Sequence, residues 1–80
     1  MVEITYEDSF KKDFQKVKDE EIKRKIIKQI EKILQNPEIG KPMRYGRKGT
    51  RELYISPFRL SYMMKGEKIY ILALYHKDKQ

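Results

Sequence analysis

The chain has 80 residues, 39% of them charged, and carries 19 Lys/Arg against 12 Asp/Glu for a net charge of +7, with one histidine and no cysteine. One domain over residues 1–80 is expected, with a modest core that buries only about 60% of the unfolded surface and has neither disulfide nor Cys/His zinc set to reinforce it. No apolar run approaches the roughly 20 residues of a membrane span, and residues 1–6 lack the features of a secretory leader, so a soluble cytoplasmic protein is expected.

Residues 1–6 alternate Val2, Ile4 and Tyr6 with Glu3 and Thr5, the period-two pattern of a half-buried strand. Asp8 or Ser9 then caps a helix whose apolar face is Phe10, Phe14 and Val17, spaced i, i+4, i+7. A longer helix is predicted from Asp19, with Glu20 and Glu21 in the first turn, where negative charge complements the helix dipole. Its stripe is Ile22, Ile26 or Ile27, Ile30, Ile33 and Leu34, and Asn36-Pro37 ends it. Two antiparallel helices joined near Lys18-Asp19 would each present one apolar face to a sheet.

Beyond Gly40 the period changes. Residues 42–46 read as a short strand and residues 46–49, Gly-Arg-Lys-Gly, as a basic turn. Residues 51–55 alternate until Ser56-Pro57 interrupts them, residues 58–63 form another strand, and Lys65-Gly66-Glu67 marks a hairpin turn. Residues 68–75 set Ile69, Ile71 and Ala73 opposite Tyr70, Leu72 and Leu74. Both faces of that strand are apolar, which predicts a central place in the sheet. The expected fold class is α+β in the order β-α-α-β-β-β-β: a small antiparallel sheet with a two-helix hairpin packed on one face.

Charge divides the chain as the elements do. Residues 1–40 hold nine Lys/Arg and nine acids, whereas residues 41–80 hold ten Lys/Arg against Glu52, Glu67 and Asp78. The entire net charge therefore lies in the predicted strands. Clustered cations attract phosphates and displace their counterions, so a polyanionic partner is expected. Arg44, Arg47, Lys48 and Arg51 around the glycine-rich turn, with Lys41 and Lys79, are the phosphate-contact candidates; the bland alternative is a solvated edge that protects a strand from aggregation. The lysines of residues 11–32 alternate with acids and read as a solvated helical face.

No metal-ligand cluster and no phosphate-binding glycine loop is apparent. What remains is acid–base chemistry by His76 within a field of Arg, Lys and Tyr. That set suits metal-free RNA cleavage, in which the ribose 2′-OH attacks the adjacent phosphorus and no external nucleophile is needed. Histidine moves protons near neutral pH, and the arginine fork contacts two oxygens of the phosphorane at once. Dependence on the 2′-OH would select RNA over DNA.

Gly40-Lys41-Pro42-Met43-Arg44-Tyr45, Gly49-Thr50-Arg51-Glu52-Leu53, Phe58-Arg59-Leu60-Ser61-Tyr62 and Leu74-Tyr75-His76-Lys77 follow in this order. Together they resemble the RelE/ParE toxin superfamily, most nearly the RelE/YoeB-like mRNA interferases of type II toxin–antitoxin systems. The resemblance runs over essentially the whole chain. It implies a ribosome-dependent endoribonuclease that inhibits translation, works on mRNA without a cofactor, and is neutralised by a cognate antitoxin protein. It further implies Arg59 at the scissile phosphate, His76 in acid–base chemistry, and Lys77 where RelE proper places a catalytic arginine. Lys41 stands where YoeB-like toxins carry a glutamate base, and Glu52 and Tyr54 stand where RelE proper has lysines. The general base is therefore sought among Glu52, His76 and Tyr54. Two readings compete: a homologue that binds RNA or the ribosome without cutting, and a ParE-like toxin acting on DNA gyrase.

Overall fold

The computed structural model describes residues 2–43 and 49–76. Its elements are β1 (Glu3–Tyr6), α1 (Asp8–Gln15), α2 (Glu20–Gln35), β2 (Lys41–Pro42), β3 (Thr50–Ile55), β4 (Phe58–Lys65) and β5 (Lys68–His76). The expected strand over residues 42–46 meets β2 only at Pro42; residue 43 is not in a strand and residues 44–46 lie outside the described residues. Arg44, Arg47, Lys48, Lys77 and Lys79 lie outside the described residues, and with them most of the basic turn.

Helix α2 starts as its sequence predicts: Asp19 Oδ1 accepts from the Glu21 amide at 2.9 Å and from Ile22 at 3.4 Å, satisfying two of the orphan donors of the first turn. Its buried stripe is Ile26, Ile30 and Ile33, while Ile27 stays exposed, which settles the choice between the two central isoleucines. Each buried isoleucine contributes about 1.5–3 kcal/mol of transfer free energy. Helix α1 departs from expectation at its start, where Glu7 occupies the cap position without a side-chain hydrogen bond. Aromatic packing continues from Tyr6 through Phe10 to Phe14, with ring centroids 5.6 and 5.7 Å apart.

The five strands form one sheet in the order β1-β5-β4-β3-β2. β5 has neighbours on both sides, as its two apolar faces require, although the middle place goes to β4. The wholly antiparallel sheet expected from the sequence needs one correction. β1 pairs parallel to β5, with Ile4 opposite Ile69, so the sheet is mixed. The other pairs run antiparallel; β3–β4 and β4–β5 are tight hairpins, and Gly66 takes the positive φ (63°) that the second of these turns needs. No turn joins β1 to β5, and the helices and three strands between them leave their relative direction free of hairpin constraint.

Residues opposite one another on adjacent strands share a face. One face carries the row Leu53, Leu60, Leu74 and the row Ile55, Phe58, His76. Both helices pack here, so that Phe10, Val17 and the α2 isoleucines join Leu60, Tyr62, Ile69, Ile71 and Leu74 in a single core. The opposite face carries the rows Glu52, Ser61, Ala73 and Tyr54, Arg59, Tyr75. It is free of both helices.

The register of β5 contains an irregularity that decides what this open face displays. Ser61 pairs with Ala73 but Tyr62 pairs with Ile71, which makes Leu72 an extra residue in β5. Strict alternation fails at that point. Beyond the bulge the faces exchange, so Leu74 enters the core while Ala73 and Tyr75 turn to the open side. Helix α1 clamps the bulge: Ser9 Oγ donates to the Leu72 carbonyl at 2.6 Å, and the Leu74 amide donates to Asp13 Oδ2 at 3.3 Å. Ser9 and Asp13 are one helical turn apart and so face β5 together. They satisfy backbone groups that an interrupted ladder leaves unpaired.

Candidate active site

Three adjacent strands build the centre of the open face. Tyr54 on β3, Arg59 on β4 and Tyr75 on β5 stand in one row, and Glu52 lies one row away with Lys41 of β2 opposite it. Glu52 is only 5% exposed, although no helix covers this face. The Tyr75 hydroxyl donates to its Oε2, reaching across β4, and Arg59 Nη1 donates to its Oε1 at 3.5 Å. A buried carboxylate needs such partners, because losing water around its charge is costly.

Arg59 is tethered through Nη1. Its side chain remains 37% exposed and its contact to Glu52 is long, so most of the fork is not committed to the carboxylate. Its Nε is buried and has no hydrogen-bond partner among the described residues. Tyr54 is 54% exposed, with its hydroxyl donating to Ser56 Oγ at 3.3 Å. The arrangement offers an anion a fixed guanidinium beside an aromatic surface. Among the described residues no three His, Cys, Asp or Glu side chains group as metal ligands, and no helix is long and apolar enough to cross a membrane.

The structure thus gathers Lys41, Glu52, Tyr54 and Arg59 from the residues expected at the site. It does not bring His76 to them. His76 is in register with Phe58 on the helix-bearing side of the sheet, and its ring meets the Phe58 ring edge-on with centroids 5.8 Å apart. Arg51, expected to contact phosphate, also points to the helix side. Its Nη1 donates to the Gly40 carbonyl at 2.8 Å and to the Glu38 carbonyl at 3.2 Å, so this guanidinium holds the loop that follows α2. Tyr75 stands in the Leu74-Tyr75-His76-Lys77 motif but is absent from the expected site residues. Its direction depends on the bulge at Leu72.

Tyr62 completes the support of that loop. Its hydroxyl donates to the Pro37 carbonyl at 2.7 Å and accepts from the Gly40 amide at 2.8 Å. Burial pushes the pKa of this phenol up, against smaller opposing effects of the Gly40 hydrogen bond and the Arg51 charge. Beside the loop, Pro37, Glu38, Pro42, Gly49, Thr50, Arg51 and Met64 line a cleft of about 330 Å³.

A family model described as "ParE toxin of type II toxin-antitoxin system, parDE" matches residues 4–80. The chain belongs to this family. Its fold is shared with solved toxins. It superposes on a YoeB/ParE toxin from Agrobacterium tumefaciens with a TM-score of 0.85 and 17% identity, covering 94% of this chain and 98% of the other. The toxin–antitoxin complex RelBE2 from Mycobacterium tuberculosis gives 0.82 and 20%, covering 95% and 98%. A YoeB dimer from Staphylococcus aureus gives 0.77 and 22%, covering 94% and 95%. No functionally curated protein matches the sequence. The chain is therefore a toxin of the RelE/ParE superfamily, as the order of its motifs implied.

Proposed function

We propose that this ParE-family toxin inhibits translation as a metal-independent endoribonuclease that cuts mRNA on the ribosome. The observation that carries the reading is Arg59: a partly exposed guanidinium, tethered to a buried carboxylate, on a sheet face that also presents Tyr54 and Lys41. In cleavage by the neighbouring 2′-OH the substrate supplies its own nucleophile. The protein's largest contribution is then charge stabilisation of the phosphorane, and a preplaced arginine supplies it without reorganising. Tyr54 offers a ring for a base flanking the cleaved bond. Glu52 is an orienting carboxylate in this scheme, since its burial and its bonds to Arg59 and Tyr75 keep it from reaching a substrate proton. Lys41, Arg44, Arg47, Lys48 and Lys79 are assigned to RNA phosphates, and Lys77 to the leaving-group side of the cleaved bond. The work is placed in the cytoplasm, where the ribosomes are. A cognate antitoxin is the proposed protein partner, in keeping with the RelBE2 complex among the structural relatives.

One observation favours a second reading, RNA or ribosome binding without cleavage. Among the described residues, no exposed carboxylate or imidazole stands beside Arg59 to take the 2′-OH proton. The test is mRNA cleavage in a translating extract, scored by 2′,3′-cyclic phosphate ends. Wild type should produce them, and Arg59→Ala should lower the rate by about 10²–10³-fold. His76→Ala should have the smaller effect, because its ring lies on the other side of the sheet. Salt-sensitive RNA binding without cyclic ends would support the second reading. Inhibition of DNA gyrase without any mRNA cleavage would overturn both.

A further inference from the structure

We infer that Tyr75 is a positioning residue for Arg59, acting through Glu52; this rests on the proposed RNA-cleaving role of Arg59. The three side chains form a relay across three strands. The Tyr75 phenol engages one oxygen of the Glu52 carboxylate, and the other oxygen tethers Arg59 Nη1. Glu52 cannot take its orientation from water, since it is almost fully buried. Its orientation comes from neighbouring donors, and Tyr75 is a neutral one, adding no charge that would compete with Arg59 for the substrate.

The geometry also separates positioning from catalysis. Tyr75 commits its hydroxyl proton to Glu52. Arg59 is tethered at Nη1 only, and its Nε is a buried donor without a partner among the described residues. A phosphate would meet the exposed part of the side chain, whose N–H donors the single Glu52 contact leaves uncommitted, and arginine favours planar two-point contacts. Held by Nη1, the guanidinium keeps its exposed part in place for that contact. Released from Glu52, it would sample other rotamers and meet the phosphate less often in the reactive geometry. The bulge at Leu72 makes the relay possible, because it alone sends Tyr75 to the side of Glu52.

Tyr75→Phe removes the hydroxyl and keeps the ring. The first readout is the Arg59 Nε–H signal in ¹⁵N NMR of the whole chain. It should be ordered in the wild type and lose order in Tyr75→Phe, and the same-size variant Glu52→Gln should behave alike. Unchanged Arg59 order in both variants overturns the inference. The second readout is mRNA cleavage, where Tyr75→Phe should lower kcat by up to about 100-fold and leave KM nearly unchanged. In an Arg59→Ala background the same change should have no further effect. Equal losses in both backgrounds would show a general structural role and overturn the inference. Absence of cleavage by the wild type would refute the proposed activity, while the NMR result would still decide the positioning role.

Discussion

Gly40 leaves no room for a side chain because of Tyr62. A Cβ on Gly40 would lie 2.6 Å from the Tyr62 hydroxyl oxygen and 2.7 Å from its ring carbon Cε1. The close approach lets the Gly40 amide bond to the phenol, which fixes the loop between α2 and the strands. Gly40→Ala should therefore cost about 1–3 kcal/mol through overpacking. For a domain of this size each kcal/mol lowers Tm by roughly 4–8 °C. Thermal unfolding checks it, and an unchanged Tm would contradict the packing described.

Tyr62 should make the fold alkali-sensitive. Burial raises its folded pKa above the ordinary tyrosine value of about 10. Below that value the phenol is neutral in both states and its contribution is intact. As pH rises past it, the unfolded chain releases the proton first, and stability falls until the folded pKa is reached. Tyr62→Phe should flatten this alkaline slope. At neutral pH it should lower stability by about 1–3 kcal/mol, because the Pro37 carbonyl and Gly40 amide lose their partner. Urea unfolding at several pH values reads both effects.

Arg51 offers a contrast between stability and binding. Its two hydrogen bonds to the Glu38 and Gly40 carbonyls serve the loop. Arg51→Ala should lower unfolding stability by about 1.5–3 kcal/mol, the range for hydrogen bonds to a charged group. A residue that only met phosphates would leave stability unchanged and reduce the salt dependence of RNA binding instead.

The clamp of α1 on the bulge makes a second region measurable. Asp13→Ala leaves the Leu74 amide without its side-chain acceptor, and Ser9→Ala removes the donor to the Leu72 carbonyl. Each should cost about 1–3 kcal/mol. Hydrogen exchange at Leu74 should speed up in Asp13→Ala more than exchange at Ile69, which lies on the other side of the bulge. Equal acceleration along the whole of β5 would argue against a local clamp.

Local pattern was enough to find both helices, the α2 cap at Asp19, the turns at Ser56-Pro57 and Gly66, and the α+β order. Periodicity and capping are short-range properties, so they can be read from neighbouring residues. The superfamily was legible too, from four motifs in order. Which residues share a face of a sheet is a different kind of property. It depends on register, and the single extra residue at Leu72 reverses every side chain after it. Tertiary structure alone therefore sent Tyr75 toward Glu52 and Arg59, parted His76 from them, and turned Arg51 from a phosphate candidate into a loop anchor. The bulge is held by Ser9 and Asp13, more than fifty residues earlier in the chain, and no local pattern in β5 carries that contact.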